Sequence, residues 1–321
     1  MRETDDVDVL FAGGVFCDLV FGGVPHLPTP GSEVYADQFD VTAGGTATRA
    51  VAAARLGLRT GLFAVIGCDM FGDHVTAQLG AEDNLDLRWL RRVPGVCTPV
   101  TVAVTDEHDR AFLTYEDPAV RRPETWGDKP LPHATVLQLG IGAALPPWAA
   151  ELRERGSLVV GGVGWDATGL WSSDLLRRLA EVDVFVLNAV EAVRYTRTDS
   201  VEKAVKLLAD LVSLVVVTDG KDGAVAVDSG TGELLRVPAP CVPVADPTGA
   251  GDVFTASLIT GLLRDWPLAT RLRFAAICAA LSVRTLGGAS SAPTWATVLD
   301  FLARTPDVSA DDRALIMAAA G

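Results

Sequence analysis

The stretch 246-DPTGAGDVFTASLITGLL-263 places a glycine turn between two aspartates, immediately before an apolar helical pattern. The first turn of a helix leaves backbone N–H groups without partners, and that end of the helix dipole is positive. Gly249 and Gly251 would let this backbone approach an anion closely. The turn therefore predicts an anion site with the carboxylate of Asp252 beside it, although a loop that ends in an Asp cap explains the same residues.

Composition limits the classes of protein that this sequence can encode. The chain has 321 residues, of which 49% are hydrophobic and 21% charged, enough for one large globular core. Its formal net charge is -14 and no Lys/Arg cluster stands out, so the basic footprint of a nucleic-acid binder is missing. Without a basic N-terminal segment or a long apolar run, neither a signal peptide nor a membrane span is expected, and we predict a cytoplasmic protein.

Cysteine and histidine do not form recognisable metal or disulfide patterns in the sequence. The five cysteines are scattered and odd in number, so buried thiols are the simpler interpretation. The four histidines have no metal-ligand spacing, and we assign them no role. These residues are Cys17, Cys68, Cys97, Cys241, Cys278, His26, His74, His108 and His133.

Strand-like and helical patterns alternate along most of the chain. Short apolar strands joined by helices predict a mostly parallel sheet that is covered on both faces. The predicted strands lie near 7–14, 59–67, 135–140, 157–162, 183–188 and 214–220, and the predicted helices near 46–57, 70–82, 144–155, 171–181, 200–212, 249–265, 268–285 and 294–305.

Two segments interrupt this alternation. Residues 16–42 and 98–115 are rich in strand and turn residues, with no helical pattern inside either segment. We predict that they form a small β-sheet lid, and that residues 1–321 form one domain into which the lid segments are inserted. The edges of such a lid could pair across a homodimer, since exposed strand edges seek partners.

The anion site suggests phosphoryl transfer, because a phosphoryl group in flight carries spread negative charge that fixed donors stabilise. Asp252 could then accept the proton of an attacking hydroxyl. The chain contains no G-x-x-x-x-G-K-[ST] sequence and no G-x-G-x-x-G sequence. A P-loop and a Rossmann dinucleotide site are therefore not supported.

Four motifs, in the same order, make the sequence resemble the ribokinase-like, or PfkB-type, carbohydrate kinases along almost its whole length. The stretch 246-DPTGAGDVF-254 is similar to the C-terminal signature of that family, and 43-AGGTATRAVAAARLG-57 to its N-terminal signature. Between them, 188-NAVE-191 is similar to the family's N-x-x-E, and 217-VTDGKDG-223 to its nucleotide-binding T-x-G-x-x-G. The resemblance implies a three-layer α/β/α sandwich with a small β lid, and transfer of the γ-phosphoryl group of ATP to a sugar-like molecule.

The same resemblance implies roles for individual residues. Asp252 would be the general base, and Gly249, Ala250 and Gly251 would form the anion hole. Asp18, Gly44, Gly45 and Thr48 would bind the substrate, although Thr48 stands where the family usually has Asn. Asn188, Glu191, Thr218, Gly220 and Gly223 would bind the nucleotide, with Glu191 organising Mg²⁺ through water. Asp246 and Thr248 would help to bind a monovalent cation such as K⁺, with carbonyl groups from 282–291.

Several of these residues also have simpler structural interpretations. A hairpin turn explains Gly220 and Gly223, and complementation of a helix dipole explains Glu191. Most of 274–293 is interpreted as core, although the resemblance places it beside adenine. Arg49 and Arg110 are interpreted as solvated side chains, with an acidic or phosphorylated substrate as the alternative.

Two alternatives to a sugar kinase stay open at this point. A nucleoside kinase on the same scaffold would need an apolar slot near Asp18, for which Phe16, Phe21 and Tyr35 are available. A sugar-binding regulator without turnover is the second alternative, although the intact G-A-G-D sequence argues against it.

Overall fold

The computed structural model describes residues 6–105, 110–120, 129–305 and 308–320. Part of the predicted lid segment 98–115, including His108, lies outside these residues. In chain order the strands are β1 (Val7–Ala12), β2 (Val15–Gly22), β3 (Gln38–Gly45), β4 (Thr60–Gly67), β5 (Leu85–Asp86), β6 (Leu90–Val93), β7 (Val100–Thr105), β8 (Arg110–Tyr115), β9 (Ala134–Gly140), β10 (Leu158–Gly162), β11 (Val184–Asn188), β12 (Leu214–Thr218), β13 (Ala224–Asp228) and β14 (Glu233–Val237).

The helices lie mostly between the strands of the large sheet. They are α1 (Thr46–Arg55), α2 (Met70–Leu79), α3 (Pro147–Glu154), α4 (Asp174–Arg177), α5 (Ala189–Thr196), α6 (Val201–Ala209), α7 (Ala250–Leu263), α8 (Leu268–Ser282), α9 (Trp295–Arg304) and α10 (Ala310–Ala318). Two short 3₁₀ segments, Arg178–Glu181 and Gly220–Asp222, add to them.

The large sheet has ten strands in the order β14-β13-β12-β11-β10-β9-β1-β4-β5, with β6 beside β4. Pairing is parallel from β4 through β1, β9, β10 and β11 to β12, and antiparallel from β12 to β14. Every residue of β4 is buried, as expected for a parallel strand covered on both faces. The predicted mostly parallel sheet is confirmed.

Side chains of successive residues in the central strands enter different cores. Val9 and Phe11 of β1 belong to one buried cluster, together with α1, α7 and α8. Leu10 and Ala12 belong to the other, which includes Trp148 of α3 and residues of α6. This alternation follows from the two-residue period of a strand, and it produces the helix–sheet–helix layers of the predicted fold class, which is confirmed.

A separate sheet of four strands, in the order β3-β2-β7-β8, forms the lid. The β2–β3 and β7–β8 pairs are antiparallel, whereas β2 and β7 are parallel. Strand β3 ends at Gly45 and α1 begins at Thr46, so the lid continues into the large unit without a connecting loop. The residues between β2 and β3 form no helix or strand, since Pro25, Pro28 and Pro30 remove donors that pairing would need. The extent of the domain stays a prediction.

Some elements differ from the sequence-based expectation. The helix predicted near 171–181 is divided into α4 and a 3₁₀ turn, and it begins only after Trp171, which has a positive φ of 48°. The short strands β5, β6 and β14 and the helix α10 were not predicted, because they are brief or lack a clear apolar period. Within the described ranges, no helix is long and apolar enough to cross a membrane.

Gly223 offers a test of the hairpin that joins β12 to β13. It has a φ of 90°, and a Cβ there would lie 1.9 Å from the Val237 carbonyl oxygen. Gly220 has a φ of 53° but no heavy atom within 4 Å of its Cβ position. We expect Gly223→Ala to lower the free energy of unfolding by at least about 3 kcal/mol, because the backbone must move. Gly220→Ala, the matched control, should cost only about 1 kcal/mol for its left-handed conformation. Denaturant unfolding measures both, and equal losses would contradict this account.

Candidate active site

The glycine turn predicted as an anion site lies at the mouth of α7. Gly249 is the residue before the helix and has a left-handed conformation with a φ of 77°. A Cβ there would also lie 2.9 Å from Gly288 Cα and 3.1 Å from Thr48 Cγ2. Both the backbone conformation and the lack of space therefore require glycine at this position. At Gly251 no heavy atom lies within 4 Å of the Cβ position. The turn is therefore packed on its inner side and open toward the cavity.

The amides of this turn are only partly occupied by protein. The Ala250 N–H donates to the Pro247 carbonyl oxygen at 3.3 Å, and the Val253 N–H donates to the Gly249 carbonyl oxygen at 2.9 Å. Among the described residues, the amides of Gly251 and Asp252 have no backbone acceptor outside the helix. The N-terminus of α7 thus has amides without a protein acceptor, although the Ala250 amide is engaged, and its role as an anion site stays a prediction.

Asp246 fixes the turn from behind. It is completely buried, and its two carboxylate oxygens accept hydrogen bonds from the backbone N–H groups of Thr248 (2.9 Å) and Gly287 (3.0 Å). Thr248 Oγ1 is buried and has no hydrogen-bond partner among the described residues. An unpartnered hydroxyl oxygen next to a buried carboxylate gives a pair of oxygen ligands that fits a monovalent cation.

A cavity of about 750 Å³ opens in front of the turn, between the large sheet and the lid. Most of the predicted site residues line it, which brings together positions that are far apart in sequence. The predicted residues in its lining are Asp18, Gly45, Asn188, Glu191, Thr218, Thr248, Gly249, Ala250, Gly251 and Asp252.

Gly44, Thr48, Gly220, Gly223 and Asp246 do not line this cavity. Gly44 has an indirect place, because a Cβ there would lie 1.9 Å from Asp18 Oδ2. Thr48 is buried and its methyl group packs behind Gly249. The geometry gives Thr48 a packing contact, and its predicted role in substrate binding stays a prediction.

Asp18 points from β2 of the lid into the cavity and is 8% exposed. Burial, followed by the negative charge of Asp252, raises the pKa of Asp18 to about 7, while a hydrogen bond from Thr101 acts in the opposite direction. Near neutral pH this carboxyl group can therefore either accept or donate a hydrogen bond, which suits a hydroxyl-bearing substrate.

Glu191 and Asn188 form a capping box at the start of α5. The Glu191 N–H donates to Asn188 Oδ1, and the Asn188 N–H donates to Glu191 Oε2, both at 2.9 Å. Burial raises the pKa of Glu191 to about 7, whereas the Asn188 amide and the charge of Arg49 act to lower it. Glu191 thus lies in the first turn of α5, as its structural interpretation expected, while the capping box with Asn188 was not predicted, and both residues line the cavity.

Arg49 was interpreted from the sequence as solvated, and that interpretation is wrong. Its side chain is only 23% exposed, and its Nε lies 2.7 Å from Asp252 Oδ1. Its Nη1 donates to Oε1 of the buried Gln138 at 3.2 Å. Arg110 lies in the same cavity wall, with its guanidinium 5.6 Å from the centre of the Phe112 ring.

Gln138 and this ion pair could not be found by local sequence reasoning. The only local signal was an arginine placed where a helix begins after two glycines, and its partners come from β9 and α7.

A second cavity of about 590 Å³ adjoins the first. Both are lined by Arg49, Gly162, Val163 and Trp165. Its other walls include Gly13 and Gly14 after β1 and Gly140 at the end of β9. These carboxyl ends of parallel strands are where ligands bind in open α/β sheets, so the joined cavities offer room for two ligands.

Comparison with known proteins agrees with this architecture. The pfkB carbohydrate kinase family matches residues 20–295 of this chain. Ribokinase from Haemophilus influenzae is 27% identical over 317 residues, which cover 94% of this chain and 99% of that protein. The nucleoside kinase of Methanothermobacter thermautotrophicus is 26% identical over 299 residues, covering 90% of this chain and 94% of that protein.

The fold is also similar to that of a solved ribokinase. The structure of Arabidopsis thaliana ribokinase complexed with ribose and ATP has a TM-score of 0.72, at 22% identity, and covers 92% of this chain and 98% of the other. Together with the family match over most of the sequence, this shows that the chain belongs to the pfkB family of carbohydrate kinases.

Proposed function

We propose that this kinase transfers the γ-phosphoryl group of ATP to a hydroxyl of a sugar or sugar-like small molecule, with Asp252 as the general base. The observation that carries this proposal is the position of Asp252, in the first turn of α7 and at the wall of the large cavity. The open amides of Gly251 and Asp252 lie beside it, and Asp18 lines the same cavity from the lid.

In the proposed reaction the acceptor hydroxyl attacks the γ-phosphorus. A new O–P bond forms, the bond from the γ-phosphorus to the bridging oxygen breaks, and ADP leaves with that electron pair. The hydroxyl proton passes to the Asp252 carboxylate. The amides at the N-terminus of α7 stabilise the charge on the transferring group, while Asp18 accepts hydrogen bonds from substrate hydroxyls.

The residues present fit a magnesium ion that keeps most of its waters. Among the described residues, no group of three or more His, Cys, Asp or Glu could hold a metal ion directly. Glu191 is one of the carboxylates that line the cavity, and a hydrated Mg²⁺ on nucleotide phosphates needs only one or two such groups. When bound, Mg²⁺ would neutralise phosphate charge.

Asp246 and Thr248 keep their proposed role near K⁺, because of the partnerless Thr248 hydroxyl. ATP use agrees with the proposed cytoplasmic location.

A nucleoside acceptor is the second candidate, and one specific observation favours it. Three aromatic side chains, Phe16, Phe112 and Trp165, line the large cavity, and Trp165 is 72% exposed. Such surfaces suit a nucleobase as well as the apolar face of a sugar ring. Of the aromatic residues considered from the sequence, Phe21 and Tyr35 do not line this cavity.

The outer face of the lid supports the proposal of a homodimer. Phe39, Leu113 and Tyr115 expose 57%, 74% and 56% of their surfaces there, and β3 and β8 are the edge strands. A sheet face of this apolar character, next to unpaired edges, is typical of an interaction surface. The lid of a second copy would cover it.

Asp252→Asn tests the proposed base. We expect turnover to fall by about a thousandfold or more while the affinity for MgATP changes little, because the amide cannot accept the proton. ADP release is measured with D-ribose, D-fructose and cytidine as acceptors, and the panel also separates the sugar and nucleoside candidates. Asp300→Asn on α9, outside the cavity, is the control. Near-normal turnover of Asp252→Asn would remove Asp252 from the mechanism.

Asp18→Asn tests how much the buried negative charge of Asp18 destabilises the protein. The folded-state pKa of Asp18, about 7, is raised above its ordinary value of 3.8. The stability linked to its proton is therefore complete below pH 4 and is lost as pH rises through about 7. We expect Asp18→Asn to raise the free energy of unfolding at pH 8 by about 1 kcal/mol or more, and to change it less at pH 5. Denaturant unfolding at both pH values measures this. Acceptor KM should rise, and an equal effect on stability at the two pH values would contradict the assignment.

Leu113→Lys tests the lid interface. We expect the wild-type chain to be a dimer in light scattering at micromolar concentration and Leu113→Lys to be a monomer, since a charge would be buried between the lids. Met317→Lys on α10, where the side chain is 53% exposed, is the matched control and should stay dimeric. A monomeric wild-type protein would exclude the dimer.

A further inference from the structure

Arg49 makes contacts that the proposed mechanism does not yet use. It lies in the first turn of α1, directly after the glycines that end the lid strand β3. Its Nε is 2.7 Å from Asp252 Oδ1, yet this buried Nε has no hydrogen bond of good geometry. Its other anchor is the Gln138 side chain, whose Oε1 accepts from Nη1. The guanidinium is thus held between β9 and the mouth of α7, and Asp252 faces it as an ion pair.

Other acidic groups lie in the same region as this ion pair. Glu191 of α5 and Asp18 of β2 line the same cavity as Asp252, and Asp246 lies behind the turn. The charge of Asp252 acts to raise the pKa of both Asp18 and Glu191, and the charge of Arg49 acts to lower that of Glu191. Arg110 of β8 also lines the cavity, from the lid. Among the described residues, Asp252 is seen to form an ion pair with Arg49.

This arrangement favours an action of Arg49 on Asp252 over the binding of an acidic substrate. An anionic group placed on Arg49 would stand beside the carboxylate of Asp252, and like charges at such a distance repel. The contact with Gln138 also fixes the guanidinium, since the amide is buried on a strand of the central sheet. A guanidinium held in this way can aim the carboxylate that it contacts.

We propose that Arg49 is a positioning residue of this active site, which together with Gln138 aims the Asp252 carboxylate at the acceptor hydroxyl and offsets the surrounding negative charge. This inference rests on the proposed function, in which Asp252 is the base. Arg49 acts through Asp252 and does not itself exchange a proton with the substrate.

The test compares Arg49→Met, Arg49→Lys and Gln138→Leu with the wild-type enzyme, using whichever of D-ribose, D-fructose and cytidine supports ADP release. For Arg49→Met we expect kcat to fall about 10- to 100-fold, with the KM for MgATP within about threefold of wild type. The acid limb of kcat/KM should move to higher pH, because loss of a cation beside a group of carboxylates favours their protonated forms.

The two other variants separate charge from geometry. Arg49→Lys keeps the charge, so its acid limb should stay in place and part of kcat should return. Gln138→Leu should show a smaller loss of kcat than Arg49→Met and no further loss in the Arg49→Met background, since it acts through the same guanidinium. Thermal unfolding confirms that each variant is folded, and Gln138→Leu carries the test if Arg49→Met does not fold.

Crystal structures give a readout that needs no acceptor. We expect Asp252 to occupy one side-chain rotamer in the wild-type protein and more than one in Arg49→Met.

The outcomes distinguish the two proposals. An unshifted acid limb with a single Asp252 rotamer in Arg49→Met would overturn the inference, as would a loss confined to acceptor KM. If Asp252→Asn keeps normal turnover, Asp252 is not the general base and that part of the proposed function is wrong, whatever the result for Arg49. If Asp252→Asn is inactive and Arg49→Met behaves as wild type, only the inference about Arg49 fails.

Discussion

The buried carboxylate of Asp246 is the constraint on which the arrangement of this active site depends. It is fully enclosed, and it accepts one backbone hydrogen bond from the turn before α7 and another from the loop after α8. A buried carboxylate is costly unless its oxygens find donors, so the two loops are held where they satisfy it. Gly249 can then take its left-handed conformation against Gly288, and α7 begins with open amides facing the cavity.

The site concentrates acidic groups in one place, and the fold balances them by several means. Asp246 is satisfied by backbone amides, Glu191 by the Asn188 amide, and Asp252 by the guanidinium of Arg49. Burial still raises the pKa of both Asp18 and Glu191 to about 7. Perturbed carboxylates of this kind cluster at functional sites, because the arrangement that suits a ligand is not the one most stable without it.

Much of the architecture could be predicted because it is encoded locally. Apolar runs bounded by glycine mark β1, β4 and β9, and the glycine turn marks the start of α7. Segments without such periodicity were missed, as the two-residue strand β5 shows. The contacts of Arg49 were not predictable, since the guanidinium reaches partners on β9 and α7 that only the tertiary fold brings together. Thr48 illustrates the same limit, because its sequence position says nothing about which side of the turn its side chain packs.

The direct passage from β3 into α1 has a mechanical consequence. Gly45, with a φ of 63°, is the last residue of the lid strand and directly precedes the first helical residue, and a Cβ there would lie 2.7 Å from the Gly14 carbonyl oxygen. Because this junction is short and closely packed, the lid has little room to rotate independently of α1. A tilt of the lid would therefore also turn the first residues of α1, and with them the Arg49 guanidinium.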